Sequence, residues 1–300
     1  MGEAESKMSE RFQSFWYGST LSPIETLCLS SFTRRGVPFD LYTYDDGLDV
    51  PDGVTLRDAE EIYDEDEVFT YQQGKGKGSV AAFANMFRYK LLYERGGWWV
   101  DMDVLYTGHD LPETGRFFGW QDESKICNAI MRVEPGSPVA KECLAEAERL
   151  GEDVSWGEAG PKLLTEVVQR QGESNGTFRP GYAYPLSWQD ISSVYQPSKR
   201  DAVASKIDRT EAPFLHLWNE ILRRTGIQKT IAPPADSYLS RIAETLGFEW
   251  PNSSVRYSAD SIEQMCENYK VAREAEWQLK RIKESTSWRL LKFLRLDFLR

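Results

Sequence analysis

Histidine is scarce in this sequence: His109 and His216 are the only two in 300 residues. Chemistry built on a pair or cluster of histidines is therefore constrained from the start. Four cysteines are present, and none lies in a Cys-x-x-Cys pair. This argues against a disulfide framework or a zinc site and indicates thiols buried in a reducing compartment.

Long apolar runs and an excess of basic charge are also lacking. No segment approaches the roughly eighteen apolar residues of a transmembrane helix, and residues 1–10 have no apolar core of a secretory signal. The formal net charge of −11 argues against a general nucleic-acid binder, so we expect no nucleic-acid partner. The sequence predicts an intracellular, cytoplasmic protein with a disordered leader over residues 1–10.

The charges that are present are unevenly placed. Between Asp45 and Glu67 there are eleven acidic residues and one basic residue, which is typical of a solvated surface loop. Residues 280–300 carry seven basic and two acidic residues, interleaved with leucine, phenylalanine and tryptophan. That pattern suits an amphipathic helix in peripheral contact with an anionic membrane surface. Packing against the main domain or a second subunit is the alternative.

The N-terminal region shows a strand, a helix and a second strand in succession. "RFQSFWYG" predicts the first strand, and "SPIETLCLSSFTRRG" predicts a helix with Ser22 as N-cap and Glu25 at its third position. "VPFDLYTYDD" predicts the next strand. This order indicates an α/β fold with a mainly parallel central sheet.

The remaining pattern extends the same domain to about residue 255. Further strands are predicted at "RFFGWQ", "CNAIMRV", "TFRPGYAYP" and "APFLHLW". Helices are predicted from Ser137 to Arg149, from about Ala159 to Arg170, and from Asp236 to Leu246. We therefore expect one main domain over residues 11–255 and a C-terminal amphipathic helical tail over residues 256–300.

The most informative stretch is "FRYKLLYERGGWWVDMDVLYTG", in which a helix ends at two glycines and an apolar strand follows. On that strand Trp99, Asp101 and Asp103 would share one face, with the carboxylates roughly 7 Å apart. Ligands of open α/β sheets bind beyond the carboxyl ends of strands. Paired carboxylates there repel each other unless a hard cation such as Mg²⁺ or Mn²⁺ binds both. A solvated turn is the alternative.

The same stretch carries a family resemblance. "AAFANMFRYKLLYERGGWWVDMDVL" resembles the DXD sugar-binding region of family 32 glycosyltransferases, a group that includes α-1,4-galactosyltransferase-like and mannosyltransferase-like enzymes. It is also similar to the catalytic domain of clostridial glucosylating toxins. "FWYGSTLSPIETLCLSSF", "GPKLLTEVV" and "HLWNE" match further segments in order, so that the resemblance covers about residues 12–220. The N-terminal segment looks like the first strand and helix of bacterial members, so the resemblance is to enzymes of the bacterial capsular or surface polysaccharide type.

The resemblance implies a GT-A fold, in which a Rossmann-like domain binds a nucleotide sugar. It implies a nucleoside-diphosphate sugar as donor, Mn²⁺ or Mg²⁺ as cofactor, and transfer of a hexose with retention of configuration. A UDP-sugar is favoured over GDP-mannose. The acceptor would be a glycan or glycolipid of surface polysaccharide biosynthesis, which would place the protein on the cytoplasmic face of the inner membrane.

The resemblance also assigns roles to residues in the matched motifs. Asp103 would bind the metal directly, and Asp101 would contact the donor and reach the metal directly or through water. Arg88 would hold the donor sugar or phosphate. His216 would be a further metal ligand, although a lone histidine on an apolar strand is more often a hydrogen-bonded core residue.

Several other residues are expected to contact the donor. Asn128 would contact the donor sugar, with a buried structural amide as an equal alternative. The other predicted donor contacts are Trp16, Tyr17, Gly18, Asn85, Trp218 and Asn219. Trp16 and Tyr17 would stack on the base, with core packing as the alternative, and Gly18 would allow close backbone approach. Asn85 departs from the pattern, because many members of the family have Asp there.

Two other functions fit parts of the sequence. Phosphatases of the haloacid dehalogenase type also carry Asp-x-Asp after an apolar strand, but usually on the first strand, whereas here the motif lies about a hundred residues into the chain. The second alternative is a non-catalytic sugar-nucleotide-binding or scaffold protein of the same fold. Binding without turnover would distinguish it from an enzyme.

Overall fold

Seven strands pair into one sheet in the computed structural model, which describes residues 11–251 and 255–288. The order across this sheet is β3-β2-β1-β4-β7-β6-β8, and β5 pairs with β9 in a second, two-stranded sheet. The strands are β1 (Phe12–Phe15), β2 (Phe39–Thr43), β3 (Val54–Asp58), β4 (Gly97–Val100), β5 (Val104–Tyr106), β6 (Phe117–Trp120), β7 (Ile126–Val133), β8 (Thr177–Phe178) and β9 (Phe214–His216).

The predicted α/β fold with a mainly parallel sheet is confirmed. Parallel pairing joins β1 to β2, β2 to β3, β1 to β4 and β6 to β8. β7 is antiparallel to both of its neighbours, β4 and β6. The mixed half of the sheet therefore begins beside β4, the strand that leads into the Asp-x-Asp motif.

Helices cover the sheet and form a separate layer toward the C-terminus. They are α1 (Pro23–Thr33), α2 (Ala81–Arg95), α3 (Pro138–Leu150), α4 (Leu163–Arg170), α5 (Pro180–Ala183), α6 (Arg200–Thr210), α7 (Asn219–Thr225), α8 (Tyr238–Thr245) and α9 (Ala259–Glu284). α1 begins as predicted, with Ser22 and Glu25 capping each other's backbone N–H groups. α2 ends at Gly96, whose φ of 64° and tight contact with Pro135 leave no room for a Cβ atom.

The acidic segment between Asp45 and Glu67 is not a loop throughout, and that prediction was wrong in part. β3 runs through its centre and pairs with β2, with Leu56 opposite Leu41. As an edge strand β3 alternates half-buried apolar residues with exposed polar ones. Only Val54 and Leu56 are apolar in β3, and acidic residues surround them, so the sequence pattern did not indicate a strand.

Two other predicted elements differ from the structure. The strand expected over "TFRPGYAYP" is only the two residues of β8, because Pro180 begins α5. The helix expected from Ala159 begins at Leu163, after a wide turn over Glu158–Lys162. α6 and α7 were not predicted. α3 and α8 lie where the sequence placed them.

The two tryptophans of β4 face opposite sides of the sheet, as strand alternation predicts. Trp98 packs in a cluster with Phe12 and Phe214, whereas Trp99 belongs to the cluster that includes Phe87. A third cluster joins α1 to α6, α7, α8 and the first turns of α9. Leu105 of β5 and Leu215 of β9 belong to the same cluster, so the C-terminal part of the chain packs against α1 and the two-stranded sheet.

α9 leaves the core after its first turns. Ile262 is fully buried, but Val271, Leu279 and Ile282 are more than half exposed. The predicted leader (residues 1–10) and the last part of the predicted tail (residues 289–300) lie outside the described residues. Among the described helices none is long and apolar enough to cross a membrane. Of the cysteines, Cys28, Cys127 and Cys143 are buried as free thiols, and Cys266 is half-buried.

Candidate active site

Asp101 and Asp103 lie in a tight turn between two strands of different sheets. β4 ends at Val100, the N–H of Val104 donates to the carbonyl of Asp101 at 3.1 Å, and β5 begins there. The expectation that both carboxylates stand on one continuous strand, roughly 7 Å apart, was therefore wrong. The turn brings the two carboxylates closer together than two same-face residues of a continuous strand would be.

A histidine from β9 completes a group of three ligand side chains. One carboxylate oxygen each from Asp101 and Asp103 and one nitrogen of His216 lie within 4.8 Å of one another. His216 is opposite Val104 in the β5–β9 pairing, and its Nε2 lies 3.2 Å from Asp103 Oδ1. Two carboxylates and one imidazole form a donor set that suits Mn²⁺ or Mg²⁺ better than a thiolate-preferring metal. The residues therefore fit the cation implied by the resemblance.

The segment after His216 fixes Asp103 from the other side. Trp218 has φ 50° and ψ 56°, a left-handed conformation that a bulky side chain rarely adopts. This bend places the indole 4.0 Å from the His216 ring, centroid to centroid. It also points the N–H of Asn219 at Asp103 Oδ2, at 2.8 Å. Trp218 and Asn219, predicted as donor contacts, thus contact two of the three candidate metal-binding side chains, His216 and Asp103.

Burial and neighbouring charges shift the pKa values of Asp101, Asp103 and His216. Burial raises the pKa of Asp101 above its ordinary value, although the Arg88 guanidinium opposes the rise. Burial would also raise the pKa of Asp103, but His216 and the Asn219 N–H outweigh it and lower this pKa. For His216, burial favours a lower pKa, yet the Asp103 carboxylate raises the pKa of the imidazole to about 10.

A buried arginine joins Asp101 to the α2 helix. Arg88 is 4% exposed, and its guanidinium donates to Asp101 Oδ1 and, at 3.1 Å, to Asn85 Oδ1. The guanidinium carbon lies 4.8 Å from the centre of the Trp99 ring, whose indole N–H also donates to Asp101 Oδ1 at 2.8 Å. The i, i+3 spacing of Asn85 and Arg88 on α2 therefore does bring them to one place, as predicted.

Asn128 on β7 extends this polar network. Its Nδ2 donates to Asn85 Oδ1 at 2.8 Å and to the hydroxyl of Tyr89 at 3.2 Å. Gly160 closes the network on the side of the wide turn, where a Cβ atom would lie 3.5 Å from Asn128 Oδ1 and 3.7 Å from Asn85 Nδ2. A side chain at residue 160 would therefore contact these amides. Arg88, Asn85 and Asn128 form a wall of donors and acceptors, the polar wall, beside Asp101.

The residues predicted to contact the base lie at the other end of the site. Trp16 is half-buried at the end of β1, and Gly18 has a φ of 146° with its Cβ position 3.4 Å from Trp16 Nε1. Tyr17 is 43% exposed and its ring meets Tyr44 edge-on at 6.1 Å. The contact of Tyr17 with a nucleotide base stays a prediction.

Sequence reasoning missed two charged residues that connect these parts. Glu25 was assigned only to the cap of α1, yet its side chain is 1% exposed and accepts hydrogen bonds from Asn219 Nδ2 at 3.2 Å and from Lys229. The Lys229 ammonium also lies 5.9 Å from the centre of the Trp16 ring. No sequence motif surrounds Lys229, so the sequence does not indicate a role for it in the site. Its partner is separated from it by most of the chain.

Buried polar atoms without a partner concentrate at the same place. Among the described residues nine such side-chain atoms occur, and five of them belong to residues predicted for the site: Trp16 Nε1, Arg88 Nε, His216 Nδ1, Trp218 Nε1 and Asn219 Oδ1. Buried polar groups are normally satisfied. Their occurrence at both ends of the candidate site fits a polar ligand with several hydrogen-bonding groups.

The chain is similar to known proteins over part of its sequence. Residues 132–244 match the family model described as the alpha 1,4-glycosyltransferase conserved region. No curated protein matches the chain. Among solved structures, the chain is similar to one titled "PaToxG Glycosyltransferase", with 12% identity and a TM-score of 0.40 over 79% of this chain and 84% of that one. The family match includes Gly160, His216 and Asn219, and it supports glycosyl transfer as the activity.

Proposed function

We propose that this protein is a metal-dependent, retaining glycosyltransferase that moves a hexose from a nucleoside-diphosphate sugar to a glycan or glycolipid acceptor. The observation that carries the proposal is the convergence of Asp101, Asp103 and His216 beside the Arg88 network. The family match over residues 132–244 supports the same activity. The resemblance of the Asp-x-Asp region supports the donor class.

The metal ligands account for the chemistry of the leaving group. A divalent cation held by Asp101, Asp103 and His216 would stabilise the negative charge that develops on a departing diphosphate. The chain contributes ligands that are already oriented: the Asn219 N–H fixes Asp103, and the Trp218 ring fixes the His216 plane. Such preorganisation means that little of the binding energy is lost in ordering the site.

The polar wall accounts for binding of the transferred sugar. Arg88 holds Asp101 in place, and Asn85 and Asn128 offer amide groups beside Gly160. Amides and a guanidinium can bind several hydroxyls of a hexose, and their mutual hydrogen bonds keep them in one geometry. Because each member is buried, an incorrectly shaped sugar would leave polar atoms unpaired, which supports selectivity.

The remaining details of the proposal rest on the sequence. Mn²⁺ is the favoured cation, a UDP-sugar is favoured over GDP-mannose, and Trp16 and Tyr17 are the proposed base contacts. Surface polysaccharide assembly at the cytoplasmic face of the inner membrane is the proposed setting, with peripheral membrane contact through residues 280–300. Ile282 in this segment and Val271 and Leu279 on the preceding part of α9 are exposed, which supports such a contact.

The test is nucleotide release from a panel of UDP- and GDP-sugars, with Mn²⁺ or with a chelator. We expect release from one donor, dependent on the metal, and loss of at least a hundredfold in the Asp103→Asn variant, a typical magnitude for removing an essential charged group from a site. Asp110→Asn is the matched control, since Asp110 is an exposed aspartate outside the site. Circular dichroism would establish that both variants fold.

Three outcomes decide between the alternatives. Full activity of Asp103→Asn would rule out the metal mechanism. Tight binding of a nucleotide sugar with Mn²⁺, without turnover on any glycan acceptor, would favour the non-catalytic sugar-nucleotide-binding protein. Once an acceptor is found, the anomeric signal of the product in proton NMR reports directly whether the configuration of the donor sugar is retained.

A further inference from the structure

Lys229 lies between the two ends of the proposed donor site. At one end its ammonium group is 5.9 Å from the centre of the Trp16 ring, where the base is proposed to stack. At the other end it shares the Glu25 carboxylate with Asn219, whose backbone N–H binds the metal ligand Asp103. A donor that spans from Trp16 to the metal must pass this position.

Glu25 accepts a hydrogen bond from this lysine and is itself held in place by three other donors. The carboxylate is 1% exposed, and its two oxygens accept from the N–H and hydroxyl of Ser22, from Asn219 Nδ2 and from Lys229. Four donors satisfy a buried carboxylate fully, so Glu25 is fixed in place. Lys229, by contrast, is 37% exposed and has three N–H donors, of which Glu25 takes one. Its remaining donors can bind a ligand.

We propose that Lys229 binds the diphosphate of the donor and that Glu25 is the carboxylate that positions it. This inference rests on the proposed function. In a nucleoside-diphosphate sugar the diphosphate connects the nucleoside to the sugar, so it lies between the base contact and the metal ligands. Lys229 occupies that interval.

Charge and hydrogen bonding at this position match a diphosphate. A diphosphate ester carries two negative charges, and a lysine ammonium is a common partner of phosphate oxygens. Arg88, the other cation of the site, already donates to Asp101 and Asn85. The indole N–H groups of Trp16 and Trp218 are buried without a partner among the described residues and are donors only. Anionic oxygens would satisfy them.

Glu25 also links the diphosphate to the metal. It binds Lys229 and Asn219 through the same oxygen, and Asn219 in turn orients Asp103. A change at Glu25 is therefore expected to disturb both ends of the donor at once. A change at Lys229 is expected to disturb diphosphate binding alone, because Asn219 and Asp103 keep their other contacts.

The experiment compares two affinities in the full-length protein. Calorimetry measures binding of UDP and of GDP in the presence of Mn²⁺, and electron paramagnetic resonance measures binding of Mn²⁺ alone. For Lys229→Ala we expect the affinity for the nucleoside diphosphate that the wild type binds to fall about 10- to 100-fold, typical of one lost charge-assisted hydrogen bond. Mn²⁺ alone should bind at least as tightly as before.

Three further variants separate binding from folding. Lys229→Arg keeps the positive charge and should retain much of the UDP or GDP affinity that Lys229→Ala loses. Lys141→Ala removes the same charge from an exposed position on α3 and should bind like the wild type. Glu25→Gln should weaken both Mn²⁺ binding and diphosphate binding.

The outcomes keep this inference separate from the proposed function. Unchanged UDP or GDP affinity in Lys229→Ala would overturn the inference, as would a parallel loss of Mn²⁺ affinity, which would indicate a purely structural role. If Asp103→Asn abolished diphosphate binding while Lys229→Ala kept it, the function would stand and the inference would fall. A wild type that bound neither UDP nor GDP with Mn²⁺ would reject both.

Discussion

His216 Nε2 lies 3.2 Å from Asp103 Oδ1, although the two residues belong to distant parts of the chain. The two-stranded sheet of β5 and β9 brings them together, because Val104 and His216 are paired across it. Many surface turns carry two carboxylates, so an Asp-x-Asp turn by itself does not indicate a metal site. The third ligand from β9 is what makes this turn a candidate metal site.

The first prediction concerns that third ligand. His216→Gln removes the imidazole nitrogen, so the Mn²⁺ affinity measured by electron paramagnetic resonance should fall at least tenfold, in line with the effects of weakening metal sites. The matched control is His109→Gln, the only other histidine of the chain. His109 lies at the surface, 3.5 Å from Asp208, and its loss should leave Mn²⁺ binding unchanged. Equal affinity in both variants would remove His216 from the metal site.

The second prediction concerns pH. Without a metal, the Asp103 carboxylate raises the pKa of His216 to about 10, so this imidazole is protonated at pH 7. A metal can bind Nε2 only after the proton leaves, and metal binding should therefore release about one proton. Below pH 10 the Mn²⁺ affinity should rise with pH, by up to about tenfold per unit.

Calorimetry checks this proton release directly. Titration of Mn²⁺ in two buffers of different ionisation enthalpy at one pH gives the number of protons released from the difference in heat. In His216→Gln the number should fall by about one. Heats that do not depend on the buffer would show that His216 is already neutral before the metal binds.

Much of the fold follows from local sequence signals. Ser22, Pro23 and Glu25 predict the start of α1, and Gly96 predicts the end of α2, because caps and left-handed turns depend on residues close in sequence. β3 was missed because an edge strand among carboxylates resembles a solvated loop. The turn at Asp101 was missed because strand alternation continues in the sequence although β4 and β5 belong to different sheets.

Only those residues of the site that belong to a recognisable sequence motif could be predicted. Asp101, Asp103, Arg88 and His216 were proposed from motifs, and the structure brings them to one place. Lys229 and the second role of Glu25 were not found, because their ion pair joins residues far apart in sequence. Apolar faces of α1 and the C-terminal helices pack together and bring Lys229 to Glu25. Local sequence patterns do not predict which helices pack against each other.

The third prediction concerns Asn85 on α2, where the resemblance of the sequence implies that many enzymes have Asp. Asn85 Oδ1 accepts from Arg88 and from Asn128, and a carboxylate oxygen can do the same. Asn85→Asp should therefore keep the melting temperature within about 2 °C, but it should change the KM for the donor because a charge replaces the Nδ2 donor. Asn85→Leu leaves two buried donors unpaired, at about 1–3 kcal/mol each, and should lower the melting temperature by roughly 5–10 °C.

Scanning calorimetry and donor kinetics on the two variants separate these effects. If Asn85→Asp lost as much stability as Asn85→Leu, the shared oxygen would not be what holds the network. If neither variant changed the KM of the donor, Asn85 would be a structural amide and the sugar-binding wall would consist of Arg88 and Asn128.

The fourth prediction concerns the shape of Arg88 rather than its charge. The guanidinium donates to Asn85 and Asp101 at the same time and lies over the Trp99 ring, which a planar fork can do and a lysine ammonium cannot. Arg88→Lys should therefore lower kcat/KM for the donor about 100-fold, equivalent to about 2.7 kcal/mol of transition-state stabilisation, although the net charge is unchanged.

A surface substitution provides the control for Arg88→Lys. Arg149 pairs with Glu146 in full contact with solvent, so Arg149→Lys should leave kcat/KM unchanged. Steady-state nucleotide release with and without Mn²⁺ measures both variants. Near-wild-type activity of Arg88→Lys would mean that only a positive charge is needed beside Asp101. In that case the Asn85 contact and the Trp99 stacking would have no part in orienting the donor.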